Sequence, residues 1–179
     1  MTLPPPSSST LPVRRNVRLV LLNECNELLL MRIELPDRSF WCTIGGGIEP
    51  TETPEQAALR EVKEEIGYSG ASLELGPTIW QGEHQLERNG VLMLHQEQFI
   101  LARTRRQQLS TTGMTDEEKT VVKAFRWWSL SELKSSSEFI VPPSMVRHLE
   151  AVIADQIPSQ VLVIALGDDP DEIPAAISS

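Results

Sequence analysis

Three glutamates, Glu61, Glu64 and Glu65, lie three and four residues apart in the stretch Pro54 to Ile66, where apolar residues repeat at helical spacing. On a helix such positions are neighbours, so the three carboxylates gather near one edge. Like charges at that spacing repel. Glu64 and Glu65 also fall in the last turn, where the helix dipole already disfavours anions. Two local rules are broken together, as happens where a site needs the charges. A bound divalent cation reverses the sign of both effects. Carboxylate oxygens are the hard ligands that Mg²⁺ prefers, and Mg²⁺ commonly keeps waters and adds substrate phosphates. The plain alternative is a solvated acidic face on an amphipathic helix. Gly45-Gly46-Gly47, just upstream, lets backbone approach a ligand closely and turn without Cβ clashes.

These residues need elements to hold them. Thr53 is a good N-cap, Pro54 suits the first helical position, and Gln56 completes a capping box. Ala58, Leu59, Val62 and Ile66 form the expected buried stripe, and Gly67 ends the helix in left-handed geometry. Upstream, Val17, Leu19 and Leu21 alternate as a half-buried strand does, the polar turn Asn23 to Glu27 follows, and Leu28 to Ile33 completes a hairpin. Phe40 to Ile44 is a short third strand. Downstream, Thr78 to Gln85 and Val91 to Ala102 read as strands around Asn89-Gly90, a strong hairpin signal. Arg103 to Thr120 reads as a long polar loop. Ala124 to Trp128 is a strand, Ser129 with Glu132 caps a short helix, Met145 to Ile153 is an amphipathic helix, and Val161 to Ala165 fits an edge strand. Hairpins mixed with separate helices argue for α+β.

The chain has 179 residues and a net charge of −9, which indicates one domain whose surface repels nucleic-acid backbones and anionic membranes. Phosphate must then be reached through a local device such as a metal ion or backbone N–H groups. Two cysteines, Cys25 and Cys42, make no disulfide framework or zinc spacing. Residues 1–12 and 167–179 read as loose tails around a domain at 13–166. With no signal-peptide pattern and no long apolar run, a cytoplasmic location is expected.

Gly46, five residues, Glu52, seven residues, and then Arg60-Glu61-Val62-Lys63-Glu64-Glu65-Ile66-Gly67 resembles the 23-residue box of the Nudix hydrolases, running from Gly46 to Tyr68. Tyr68 stands where an aliphatic residue is usual, and Thr51 where glycine is frequent. The pattern of strands and helices from about Val13 to Lys134 is similar to the rest of that family. The resemblance implies an α/β/α sandwich around a mixed sheet. It implies that Glu61, Glu64 and Glu65 bind Mg²⁺ (with Mn²⁺ as a substitute), sometimes helped by Glu52. It further implies that Arg60 orients a glutamate and that Gly45, Gly46 and Gly47 shape the substrate pocket. Family loops near the position of Asp116, Glu117 and Glu118 often supply a general base, and Glu118 is the choice here.

The expected function is Mg²⁺-dependent hydrolysis of a phosphoanhydride bond in a nucleoside diphosphate linked to another group. Nucleoside triphosphates, nucleotide sugars, ADP-ribose and dinucleoside polyphosphates all qualify. A non-catalytic nucleotide-sensing module is the alternative, but a sensor tends to lose its metal carboxylates. An isomerase on the same scaffold would need a cysteine and extra metal histidines. Cys42 is placed for that, whereas the spacing of His84, His95 and His148 supports no site. Trp80, Trp127 and Trp128 could stack on a base, although one of the adjacent pair must face the core. Arg103, Arg105 and Arg106 could touch phosphates or simply be solvated. A small nucleotide is the expected partner, with a homodimer as an option and no extended nucleic acid or membrane.

Overall fold

The computed structural model describes residues 11–88 and 90–167; the two end segments expected to be loose fall mostly outside that range. In chain order the elements are β1 (Val13–Leu22), β2 (Leu28–Glu34), β3 (Ser39–Cys42), β4 (Gly45–Gly47), α1 (Pro54–Ile66), a 3₁₀ turn (Gly70–Ser72), β5 (Leu73–Arg88), β6 (Val91–Thr104), α2 (Asp116–Val121), β7 (Val122–Trp128), α3 (Leu130–Ser135), β8 (Ile140–Val141), α4 (Ser144–Ile153) and β9 (Leu162–Val163).

One mixed sheet runs β8-β3-β2-β1-β6-β5-β9, with β7 added to β2 and β4 to β1. β1 is its centre. It lies parallel to β6 from Val13↔Leu94 to Leu22↔Arg103, and antiparallel to β4 from Asn16↔Gly47 to Arg18↔Gly45. A strand buried on both faces need not alternate apolar with polar. That is why Leu19, Val20, Leu21 and Leu22 are all buried, where the sequence alone reads a half-buried strand.

The two faces carry separate cores, giving the expected α/β/α sandwich. Val17, Leu19, Leu21, Leu29 and Ile100 meet Ala57, Ala58, Val62 and Ile66 of α1. Val20, Leu22, Leu28, Leu30 and Leu101 meet Leu133 of α3 and Met145, Leu149 and Val152 of α4. The second core turns polar toward the start of β1. There the same face presents Arg18, Asn16 and Arg14 in place of Val20 and Leu22, as the two-residue period requires. No helix among the described residues is long and apolar enough to cross a membrane.

Candidate active site and the polar end of the sheet

α1 starts and stops where its sequence dictates. Thr53 Oγ1 accepts the Gln56 N–H, the Gln56 side chain accepts the Thr53 N–H, and Gly67 closes the helix at φ +75° with its N–H on Lys63 O. The buried stripe is turned slightly from the expected one: Ala57 takes the place of Leu59, and Glu61 and Glu65 share that inward face with Val62 and Ile66. Two of the three carboxylates are therefore inside, while Glu64 stays about half exposed.

Gly46 makes that burial possible. A Cβ there would stand 2.5 Å from Glu61 Oε1. Gly45 has φ +136°, and a Cβ on it would meet Val17 O at 2.2 Å, so only glycine fits. Its N–H donates to Glu65 Oε2 at 2.8 Å. The three glycines form β4 beside β1 instead of an open loop.

Arg60 is the hub of the carboxylates. Nε and Nη2 donate to the two oxygens of Glu52 at 2.7 and 2.9 Å. Nη1 reaches Glu61 Oε1 at 2.7 Å and Glu64 Oε2 at 3.2 Å, and Nη2 also reaches Gly47 O at 2.8 Å. Arg60 holds the Glu52 carboxyl down at about 2. One guanidinium is shared too widely to do the same for the buried pair. Burial raises the Glu61 pKa despite the Arg60 hydrogen bonds, and the charges of Glu64 and Glu118 add to it. Burial likewise pushes Glu65 up to about 8, against the Gly45 N–H, with Glu61 and Glu118 adding. The cluster is short of positive charge and its donors are all carboxylate oxygens, which is the donor set of a hard divalent cation.

Arg103 to Thr120 is not the open loop its composition suggests. β6 continues to Thr104, the Ser110 N–H donates to Ile66 O, and Tyr68 Oη exchanges hydrogen bonds with the Gln107 backbone. Met114 is buried, and a Cβ on Gly113 would lie 2.7 Å from Glu64 O. This segment straps the end of α1. Glu118 belongs to α2, where its Oε2 takes the Thr115 N–H at 2.7 Å and the Thr115 hydroxyl at 2.8 Å. Short polar side chains compete for backbone partners in this way, so a polar run can end in a capped helix. Glu118 is thus held, not swinging, and it stands near enough for its charge to act on Glu61 and Glu65.

On the other face a cavity of about 390 Å³ opens beside the polar end of the sheet, with Arg18, Arg38, Phe40, Thr43, His84 and Glu97 among its lining. Asn16 Nδ2 donates to His95 Nδ1 at 3.1 Å and to Glu97 Oε1 at 3.0 Å. Arg18 Nε donates to Glu97 Oε2 at 2.8 Å, and its Nη1 reaches Gly45 O at 3.2 Å. Burial would raise Glu97, but the Arg18 charge and hydrogen bonds from His84 and Arg18 bring it down to about 2. Arg18 and Gly45 thereby tie this wall to Glu65. Cys42 lines the cavity as a neutral thiol, pushed up to about 12 by burial.

His84 and His95, whose spacing in the sequence suggests no site, lie side by side in the fold. The register of β5 on β6, from Arg88↔Val91 inward, sets His84 opposite His95 and puts Glu97 on the same face. The hairpin signal contained that register. The tryptophans also resolve. Trp80, Trp128 and Trp41 are buried, and Trp127 packs half-buried with Arg106 above its ring. Phe40, which sequence reasoning passed over as a stacking residue, lines the cavity together with Phe99, and Arg38 lies over the Phe40 ring. Arg103 and Arg106 pair with Asp155 and Glu27.

An α/β/α sandwich around a mixed sheet, with a glycine strand delivering a carboxylate-bearing helix, defines the class. Residues 12–149 match the NUDIX domain, and the chain belongs to that family. It is similar to an RNA pyrophosphohydrolase of Rhodospirillum rubrum, 41% identical over 80 residues, covering 44% of this chain and 47% of the relative. It is also similar to a putative 8-oxo-dGTP diphosphatase of Bacillus subtilis, 40% identical over 52 residues, covering 29% and 34%. The chain spans less than half the length of these curated relatives. The MutT protein of Methanosarcina mazei shares the fold at a TM-score of 0.60 and 19% identity, covering 84% of this chain and 100% of that one. Nudix hydrolases use divalent metals and act on small nucleotide substrates.

Proposed function

We propose that this chain is a Mg²⁺-dependent pyrophosphohydrolase that cuts the phosphoanhydride bond of a nucleoside diphosphate joined to another group. The observation that carries the reading is the gathering of Glu61, Glu64 and Glu65 on one helix edge, where Arg60 reaches only Glu61 and Glu64 of the three and the buried pair, Glu61 and Glu65, has raised proton affinity. Glu61, Glu64 and Glu65 hold the metal, with Mn²⁺ able to substitute. Glu52, whose two oxygens both take Arg60 hydrogen bonds, serves as the anchor of Arg60, and a direct share in the metal would require releasing it.

When bound, the metal neutralises charge on the phosphates and lowers the pKa of an attacking water. Every other part falls to the chain. Arg60 fixes the orientation of Glu61 and Glu64. Gly45, Gly46 and Gly47 let the backbone and Glu61 close up where the phosphates lie. Glu118, fixed on α2, accepts the proton of the attacking water, since a base must stand within hydrogen-bond reach. The organic end of the substrate lies in the 390 Å³ cavity against Phe40. Positioning and electrostatics supply most of the acceleration in such transfers.

Relatives named RNA pyrophosphohydrolase and putative 8-oxo-dGTP diphosphatase mark the range of substrates to try. The acidic surface favours short ones. The free thiols of Cys25 and Cys42 suit a reducing, cytoplasmic setting. A second copy of the chain, in a homodimer, would find exposed apolar residues at Val13, Leu86, Val91 and Leu92, and sedimentation velocity decides that state. The test of function is a Mg²⁺ assay across nucleoside triphosphates, nucleotide sugars, dinucleoside polyphosphates and 5′-triphosphate oligonucleotides, with products read by mass. Turnover of one class that is lost in Glu64→Gln is expected. No turnover of any, or equal turnover in the variant, overturns the reading.

A further inference from the structure

Outside the α1 cluster, a second set of metal-capable side chains converges. His84 of β5 stands directly opposite His95 of β6, and Glu97 follows two residues later on the same face. Donor atoms of the three all lie within 4.8 Å of one another. His84 Nε2 is 3.4 Å from Glu97 Oε1, and His95 Nδ1 is 4.0 Å from the same oxygen. Two ligands about 2.1 Å from a tetrahedral ion stand roughly 3.4 Å apart. The set is therefore close to coordination spacing without any movement of the strands.

The surroundings also fit. Glu97 Oε2 is held by Arg18 Nε, which aims Oε1 at the two imidazoles; outer hydrogen bonds of this kind orient metal ligands. Asn16 Nδ2 sits against the same two atoms, His95 Nδ1 and Glu97 Oε1, that a cation would take. Turning that carboxamide aside, with loss of the Arg14 Nε hydrogen bond to Asn16 Oδ1, frees both atoms for the cation and leaves a fourth position vacant. His95 is only 6% exposed, and its Nδ1 already points its lone pair into the cluster, where it accepts from Asn16 Nδ2.

We propose that His84, His95 and Glu97 form a second cation site, separate from the α1 carboxylates, that takes a borderline transition-metal ion such as Zn²⁺. Two imidazoles and one carboxylate are donors for that class, whereas Mg²⁺ takes oxygen. His84 and Glu97 both line the cavity. The ion therefore has a coordination position open to whatever group is seated there, and it would ligate an oxygen or nitrogen of that group. The site stands whether or not the α1 cluster is catalytic.

The test uses the full chain stripped of metal, in excess Mg²⁺ to fill the carboxylate cluster, titrated with Co²⁺ as a spectroscopic stand-in for Zn²⁺. One equivalent should bind, with visible absorption of a low-coordinate nitrogen-ligated ion, and Zn²⁺ should displace it. Glu64→Gln should bind Co²⁺ as the wild type does. His84→Ala should weaken binding by at least about 100-fold. His84 is about one-third exposed, so its loss should leave the metal-free melting temperature nearly unchanged; His84→Gln gives the same reading should the alanine variant unfold. Absence of the absorption in the wild type, or its persistence in a folded His84 variant, overturns the proposal and leaves the cluster as a hydrogen-bonded brace for Glu97.

Discussion

Glu65 and Glu97 are both buried glutamates, 6% and 5% exposed, yet one holds its proton up to about 8 and the other gives it up near 2. Burial penalises the charged form of each. The difference lies in what faces them. Glu97 has Arg18 at 2.8 Å on one oxygen and Asn16 at 3.0 Å on the other. Glu65 has the Gly45 N–H and two carboxylates, Glu61 and Glu118, whose charges oppose its own. The cation whose charge reaches Glu65 is also Arg18, but its donors are on Glu97 and Gly45 O, while Arg60 has its donors on Glu52, Glu61, Glu64 and Gly47. The sheet-face site is thus ionised before any ligand arrives. The helix site is frustrated and needs an added positive charge, so an ion entering it must displace a proton.

The sharpest way to break this comparison is to remove a carboxylate from the frustrated side. Glu64→Gln or Glu65→Gln should lower turnover by at least about 100-fold, since even partners of metal ligands are worth 10- to 100-fold. The metal-free melting temperature should stay level or rise, because Glu64→Gln removes a like charge near a helix C-terminus and Glu65→Gln replaces a carboxyl that burial already keeps protonated at neutral pH. Rate and melting temperature measured on the same preparations check this. A fall in stability with intact activity would mean the carboxylates brace the fold instead.

Glu118→Gln comes next, at roughly 100-fold in kcat with KM nearly unchanged, because a base acts only in the chemical step. Glutamine at that position preserves the capping box with Thr115, so α2 keeps its cap and only basicity is lost. The acidic limb of the pH–rate profile should flatten. An unchanged limb moves the base to one of the box glutamates.

How much of this was legible depends on sequence distance. The α1 site is local: Thr53 and Gln56, the glutamates and Gly67 lie within fifteen residues, and helical periodicity places them all. The expected long loop is kept at 105–115 but shortened by β6 and α2, and the straps that order it, Ser110 to Ile66 and Tyr68 to Gln107, cross some forty residues that no pattern links. The Arg18–Glu97 pair depends on the parallel register of β1 on β6, 79 residues apart in sequence. Parallel strands have no turn to announce their register. Only the His84–His95 half of that cluster could have been counted out, from Asn89-Gly90.

Cation addition sharpens the contrast at smaller scale. Mg²⁺ at 100 times its dissociation constant should stabilise the wild type by about 2.7 kcal/mol. Glu61→Ala should abolish that shift, while Glu97→Gln should keep it. Thermal melts across a Mg²⁺ series measure both. Equal shifts in wild type and Glu61→Ala would place the ion elsewhere.

The smallest effect is the pH dependence of the metal-free protein, and here the two glutamates should pull in opposite directions. The Glu65 pKa is raised by folding from 4.5 to about 8. Its contribution is therefore whole below 4.5 and is lost as pH climbs through 8, when the carboxylate must ionise inside the fold. The Glu97 pKa is lowered from 4.5 to about 2. Its contribution is present above 4.5 and is lost as pH falls toward 2, when protonation breaks the pairing with Arg18. Each is worth on the order of 1–2 kcal/mol once the coupling of neighbouring carboxylates is discounted. Chelator-treated wild type should then lose stability on both sides, as pH rises from 4.5 through about 8 and as it falls from 4.5 toward about 2. Glu65→Gln should remove the alkaline slope alone, and Glu97→Gln the acid slope alone. Denaturant melts at fixed pH values read the two slopes separately. If Glu65→Gln leaves the alkaline slope intact, the proton is held elsewhere in the cluster, and Glu61, the other buried carboxylate with a raised pKa, becomes the group to replace next.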